Sequence, residues 1–163
     1  TEYGAALWRT LVETSARPGG YRTIESLRLE KGYRVWGADV GPETTPDEAG
    51  LAFAVRREGE FVGREALRAA RARGIGRSLR CLVLDDPRAV ALGGEPVRLA
   101  GEVVGQVTSG GYGYTVARSI AYAYLPEGTE DGTELDVQVD GDWERAEVAQ
   151  SPLYDPKGER IRA

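Results

Sequence analysis

Histidine and asparagine occur nowhere in the 163 residues, and cysteine occurs once. Without histidine, no Ser-His-Asp or Cys-His nucleophile arrangement can form within the chain. No histidine-based zinc site is available either, and a single cysteine cannot build a thiolate site. The absence of asparagine removes every N-glycosylation acceptor. Cys81 has no partner for an internal disulfide. Its neighbours Leu79, Arg80, Leu82, Val83 and Leu84 predict a buried small hydrophobe. A lone buried thiol suits a reducing cytosol. No apolar run approaches the roughly 20 residues that span a bilayer, so no membrane partner is expected. No basic-then-apolar leader opens the chain, so no signal peptide is expected.

Charge is plentiful, at 29 % of residues, but its balance is acidic, with a net charge of −5. Nucleic-acid binders need a basic footprint, and this chain lacks one. Arginine outnumbers lysine 19 to 2, a bias that suits planar carboxylate recognition. Apolar residues make up 41 %, enough for a real core.

The chain begins inside a helical pattern. Thr1 can cap, and Tyr3, Ala6, Leu7 and Leu11 recur at helical spacing up to about Ser15. A domain seldom starts with no lead-in, so the opening predicts a fragment of a larger domain. Arg17-Pro18-Gly19-Gly20 is a turn signal. A second helix is predicted over 21–31, with Ile24, Leu27 and Arg28 inward and Gly32 as its stop. Tyr33 to Val40 alternates like a short strand. Thr45-Pro46-Asp47-Glu48 is a capping box that predicts one or two helical turns. Leu51 to Val55 has the pattern of a buried strand, and Val62 to Arg73 that of a third helix ended by Gly74.

From Gly74-Ile75-Gly76 onward the pattern changes. Six strands are expected: 79–84, 96–100, 102–109, 119–125, 134–140 and 144–149. Leu135, Val137 and Val139 alternate with polar residues, which gives that strand one wet face. Residues 120–125 are apolar on both faces and belong in the centre of a sheet. Ala100-Gly101 suits a tight hairpin. Short strands at this spacing argue a small barrel or sandwich. The glycines between Gly105 and Gly113 lack a following Lys-Ser/Thr and so form no phosphate loop. They are expected to make tight turns.

The segment Ser26 to Asp39 is the most informative. Glu30 ends a helix, where a carboxylate is electrostatically unfavourable. The ordinary explanation is a solvated side chain. The functional one is an acceptor beside Tyr33 and Trp36, able to meet the N–H donors of a flat stacked heterocycle. Both aromatics can equally be core.

Here the residues resemble a known family. Leu27-Arg28-Leu29-Glu30-Lys31-Gly32-Tyr33, Trp36-Gly37-Ala38-Asp39, Thr45-Pro46-Asp47-Glu48-Ala49-Gly50-Leu51 and Phe61-Val62-Gly63-Arg64-Glu65-Ala66-Leu67 follow one another as in the second half of the glycine-cleavage T-protein fold. Gly105-Gln106-Val107-Thr108-Ser109-Gly110-Gly111 and Ile120-Ala121-Tyr122-Ala123-Tyr124-Leu125 resemble that family's C-terminal barrel, and the tail from Ala146 to Tyr154 fits as well. The wording around Glu30, with Lys31 and Trp36, is most similar to the folate domain of dimethylglycine and sarcosine dehydrogenases and oxidases.

The resemblance implies an α+β chain. Residues 1–74 would be the C-terminal part of a folate-binding domain and 75–163 an antiparallel β-barrel. It implies tetrahydrofolate as cofactor, with FAD only if an oxidoreductase domain lies upstream. The Glu30 carboxylate would accept hydrogen bonds from the pterin, and Tyr33 and Trp36 would shape the wall. Arg56 or Arg57 would meet the anionic glutamate end, the ordinary alternative being a solvated arginine pair. The family's catalytic aspartate falls upstream of Thr1, so no carboxylate here takes that role and the chain alone is expected to be inactive. The implied partners are a methylamine-type one-carbon donor and the missing half of the domain, and the implied product is 5,10-methylenetetrahydrofolate. A glycine-cleavage aminomethyltransferase is the neighbouring reading. A non-catalytic interaction module is the reading from a different class.

Overall fold

A computed structural model describes residues 2–56, 58–160 and 162. Three helices, α1 (Gly4–Glu13), α2 (Tyr21–Lys31) and α3 (Arg64–Arg73), precede six strands. These are β1 (Arg77–Leu84), β2 (Pro96–Leu99), β3 (Glu102–Gly113), β4 (Arg118–Pro126), β5 (Glu134–Val139) and β6 (Asp142–Ala149). The strands close into an antiparallel barrel in the order β1-β4-β3-β2-β5-β6. Closure joins β1 to β6 through pairs such as Leu82 with Val148. A closed barrel leaves no long unpaired edge. The capping expected of Thr1 lies outside the described residues.

Strand alternation builds two cores, one on each side of β4. Ala121, Ala123 and Leu125 point into the barrel with Leu82, Val97, Val107, Val137 and Val148. Ile120, Tyr122 and Tyr124 point outward and meet Leu29 of α2, Leu79 and Cys81. The two-faced apolar pattern of β4 therefore reflects a strand with barrel on one face and helix on the other. Cys81 is buried, as its neighbours predict. The two-residue turn at Ala100-Gly101 has both residues at positive φ, 51° and 90°, the geometry of a tight hairpin.

Several expectations fail for physical reasons. Residues 51–55 form a short 3-10 turn, Ala52–Ala54, rather than a buried strand, and Phe53 is 85 % exposed. No neighbouring strand pairs with it, so its apolar character does not make it β. Tyr33 to Val40 holds only an isolated bridge between Trp36 and Val40. The Thr45–Glu48 capping box does form: the Thr45 N–H donates to Glu48 Oε2 at 2.7 Å and the Glu48 N–H to Thr45 Oγ1 at 3.2 Å. It caps a single turn, with no helix following.

The largest correction concerns α2. Its buried residues are Ser26, Arg28, Leu29 and Glu30, while Ile24 and Leu27 are exposed. The helix turns its polar face to the barrel. The glycines of β3 are likewise not turns. They lie within the strand, where a Cβ at Gly105 would strike the Tyr124 carbonyl, and one at Gly111 would sit 2.9 Å from Leu29 Cδ1. They allow the close approach of β4 and α2. The apolar stripe of α1, including Leu7, Trp8 and Leu11, is exposed. Among the described residues no helix is long and apolar enough to cross a membrane.

Candidate functional site

The site is built where α2 lies on the outer face of β3 and β4. Gly32, at φ 70°, ends the helix by donating its N–H to the Leu29 carbonyl. This stop holds Glu30 in the last turn and turns the chain away. Tyr122 Oη donates to the Leu29 carbonyl at 3.1 Å and exchanges a 2.9 Å hydrogen bond with Ser151 Oγ. Burial of this phenol raises its pKa well above the ordinary value, so it remains a donor.

Glu30 is only 1 % exposed, which contradicts the ordinary expectation of a solvated helix-end carboxylate. Its Oε1 accepts the backbone N–H of Thr115 at 2.6 Å and that of Val116 at 3.4 Å. Its Oε2 is buried and has no hydrogen-bond partner among the described residues. Leaving a buried polar group unpaired costs about 1–3 kcal/mol, and more for a charged one. Such an atom marks a place where a donor is wanted.

Beside Glu30 lies an open cleft of about 430 Å³, lined by Ile24, Leu27, Arg28, Lys31, Tyr33 and Tyr154. Its walls are largely apolar and aromatic, with a few polar groups, as in a small-molecule site. Tyr33 thus stands with Glu30. Trp36, 72 % exposed, does not line this cleft. Arg56 lies in a different hollow, with Val55, Phe61 and Leu67, and Arg57 lies outside the described residues.

Several side chains hold the site together, and of these only Arg28 was expected on the inner face of α2. Arg28 Nη1 donates to Asp39 Oδ2 at 2.9 Å and to Ser109 Oγ at 2.9 Å. Asp39 accepts further hydrogen bonds from the Val35 N–H, Thr108 Oγ1 and Ser109 Oγ, and its carbonyl accepts from Tyr124 Oη. The C-terminal tail closes the other side. The Tyr154 N–H donates to the Glu30 carbonyl at 3.0 Å, and Lys31 Nζ pairs with Asp155 Oδ2 at 3.0 Å. The i, i+4 spacing of Ser26 and Glu30 was the available signal that α2 carries a polar buried face. Nothing local to Asp39 or Asp155 pointed to Arg28 or Lys31.

Two family models match the chain. The glycine cleavage T-protein C-terminal barrel domain covers residues 77–155 and the GCVT N-terminal domain covers residues 1–59. An aminomethyltransferase of Rubrobacter xylanophilus is 41 % identical over 94 % of the chain and 42 % of its own length. The mitochondrial dimethylglycine dehydrogenase of Rattus norvegicus is 34 % identical over 99 % of the chain and 20 % of its own length. A crystal structure of the glycine cleavage system aminomethyltransferase T from Bartonella henselae superposes with a TM-score of 0.84 at 28 % identity, over 94 % of the chain and 44 % of that protein. The chain therefore spans less than half the length of these relatives.

Proposed function

This chain belongs to the glycine-cleavage T-protein family, and from that premise we propose that it is the tetrahydrofolate-binding, one-carbon-transfer portion of a dimethylglycine or sarcosine dehydrogenase or oxidase. The division between folate-binding part and barrel falls near Gly74-Ile75-Gly76. The observation that carries the reading is the Glu30 carboxylate, buried beside an aromatic cleft with one oxygen held by backbone amides and the other unpartnered. A pterin fits this atom, because its ring presents adjacent N–H donors to an acid at its edge. Each charge-assisted hydrogen bond of that kind contributes roughly 1.5–3 kcal/mol.

Tetrahydrofolate, when bound, supplies the nitrogen nucleophiles that capture a one-carbon unit from an amine donor. The chain's own residues bind and orient. Glu30 accepts from the pterin edge, Tyr33 and Tyr154 wall the cleft, and Trp36, outside the cleft itself, would shape the surface nearby. Arg56 or Arg57 would meet the anionic glutamate tail, although Arg56 lines a hollow separate from the Glu30 cleft. Residues of the α2 face hold the acceptor still, so that positioning is supplied before reaction. FAD belongs to the reading only where an oxidoreductase domain precedes this chain, and the lone buried thiol suits a cytoplasmic setting.

The dehydrogenase reading rests on the wording Leu-Arg-Leu-Glu-Lys-Gly-Tyr and on Trp36. Identity of 41 % to an aminomethyltransferase favours the second reading, that of a glycine-cleavage aminomethyltransferase. Calorimetry of tetrahydrofolate against the full-length protein tests what the two share. Glu30→Ala is expected to weaken affinity at least about tenfold, roughly 1.4 kcal/mol. An unchanged affinity would refute the assignment of Glu30 to the pterin, and no measurable binding by the natural protein would leave a non-catalytic interaction role.

A further inference from the structure

The tip of the hairpin between β3 and β4, residues 114–117, is the part of the barrel that grips the Glu30 carboxylate. Both of its contacts, from the Thr115 and Val116 amides, fall on the same oxygen, Oε1. None falls on Oε2, although that atom is also buried. A glutamate side chain turns its two oxygens freely unless its surroundings distinguish them. Here the hairpin does so.

The same hairpin is tied to the same helix one turn earlier. Ser26 Oγ donates to the Tyr112 carbonyl at 2.9 Å and accepts the Tyr114 N–H at 3.3 Å. Ser26 thus fixes Tyr112 at the end of β3 and Tyr114 at the start of the tip, while Glu30 meets the middle of the tip. Tyr112 and Tyr114 brace each other edge to face, with centroids 5.0 Å apart at 77°. Between the two residues that Ser26 holds lies Gly113. A Cβ there would sit 2.9 Å from Glu30 Cγ, 2.7 Å from Ile120 Cδ1 and 2.9 Å from Val116 Cγ2. The missing side chain is what lets the acid reach the amides.

We propose that the β3–β4 hairpin is the positioning device for Glu30: its tip occupies one carboxylate oxygen, Ser26 locks its base, and the other oxygen is thereby presented to the N–H edge of a flat heterocycle. This rests on the folate reading above. Ser26 and Gly113 are positioning residues, acting only through Glu30, and Glu30 is the group that touches the ligand.

A double-mutant cycle on the full-length protein, read by calorimetry with tetrahydrofolate, separates the two claims. Ser26→Ala and Gly113→Ala are each expected to weaken binding about threefold or more while Glu30 is present, and less than about twofold in the E30A background. Ser26→Thr, which keeps the hydroxyl, is expected to restore most of the loss. Should the natural protein show no binding, the folate reading fails; should E30A bind normally, Glu30 does not meet the ligand and the hairpin proposal falls with it. Should E30A lose affinity while Ser26→Ala is neutral, or equally harmful with and without Glu30, the hairpin proposal alone is overturned. Gly113→Ala carries the risk of misfolding, and Ser26→Ala completes the cycle without it. Independently of ligand, hydrogen exchange at the Thr115 amide is expected to accelerate about tenfold or more in E30A. Unchanged protection there overturns the proposal too.

Discussion

Arg28 Nη1 lies 2.9 Å from Asp39 Oδ2, and both partners are buried between α2 and the barrel. The pair is not isolated, because Asp39 also accepts from Val35, Thr108 and Ser109. A buried ion pair is costly to assemble, and removing one partner leaves an uncompensated charge. Asp39→Ala is expected to destabilise the fold by about 3–5 kcal/mol, measured by urea unfolding. Asp39→Asn, which keeps the shape and part of the hydrogen bonding, is expected to cost less. A loss below about 1 kcal/mol for Asp39→Ala, the size of a surface pair, would contradict the role given to this network.

Cys81 provides a check on the packing of α2 against the outer face of the barrel. Burial is the main cause that raises its thiol from 9.0 to about 11. At pH 8 the thiolate is then a fraction of about one in a thousand, and the sulfur is also covered. Alkylation of the native chain at pH 8 is expected to be slow, and to become fast on adding denaturant. Rapid native labelling would show that the outer cluster of Leu29, Cys81, Ile120 and Tyr122 does not pack as described.

The tail's attachment to α2 should respond to acid. Burial raises the Asp155 carboxyl, but hydrogen bonds from Lys31 and from the Arg160 and Glu159 amides outweigh it and hold the pKa below its ordinary value. A depressed carboxyl stabilises the fold above its unfolded pKa, near 3.8, and that contribution is lost as pH falls through the folded value. Protection of the Tyr154 amide, bonded to the Glu30 carbonyl, is therefore expected to hold at pH 6 and to fall below pH 4. In Asp155→Asn the Lys31 link should be weak at both pH values, so the acid-dependent step should shrink.

Gly105 allows β3 to approach β4 closely. A Cβ there would strike the Tyr124 backbone carbonyl, which cannot swing aside as a side chain can. Gly105→Ala is expected to destabilise by about 1–3 kcal/mol, seen as a lower melting temperature. Gly101→Ala, which meets nothing within 4 Å, carries only the strain of φ 90° and is expected to cost less.

How much of this was legible in the sequence differs between the two parts. The six strands were visible because alternation, turn glycines and short spacing all agreed, and because the barrel satisfies itself locally through hairpins such as Ala100-Gly101. Helix α2 was visible as a helix, but its orientation was not. Ile24, Leu27 and Arg28 were the expected inner face; Arg28 is buried as expected, but with Ser26, Leu29 and Glu30 in place of Ile24 and Leu27. That inversion depends on partners more than 80 residues away along the chain, Tyr112, Ser109 and Thr115, which no local pattern reveals. Leu51 to Val55 failed for the related reason that strand character needs a neighbouring strand. Glu30 and Tyr33 stood out as an acid beside an aromatic, but charge alone argued for a solvated acid, and only the family resemblance pointed to a pterin.

The most direct measurement asks whether Glu30 and the pterin edge recognise each other. Tetrahydrofolate and an analogue lacking the exocyclic ring amine would be titrated into the full-length protein and into its Glu30→Ala variant. The account predicts that removing the amine weakens binding about tenfold or more in the natural protein and has little effect in the variant, because the acceptor is already gone. Equal losses in both proteins would contradict it, since the amine would then be met by some other group.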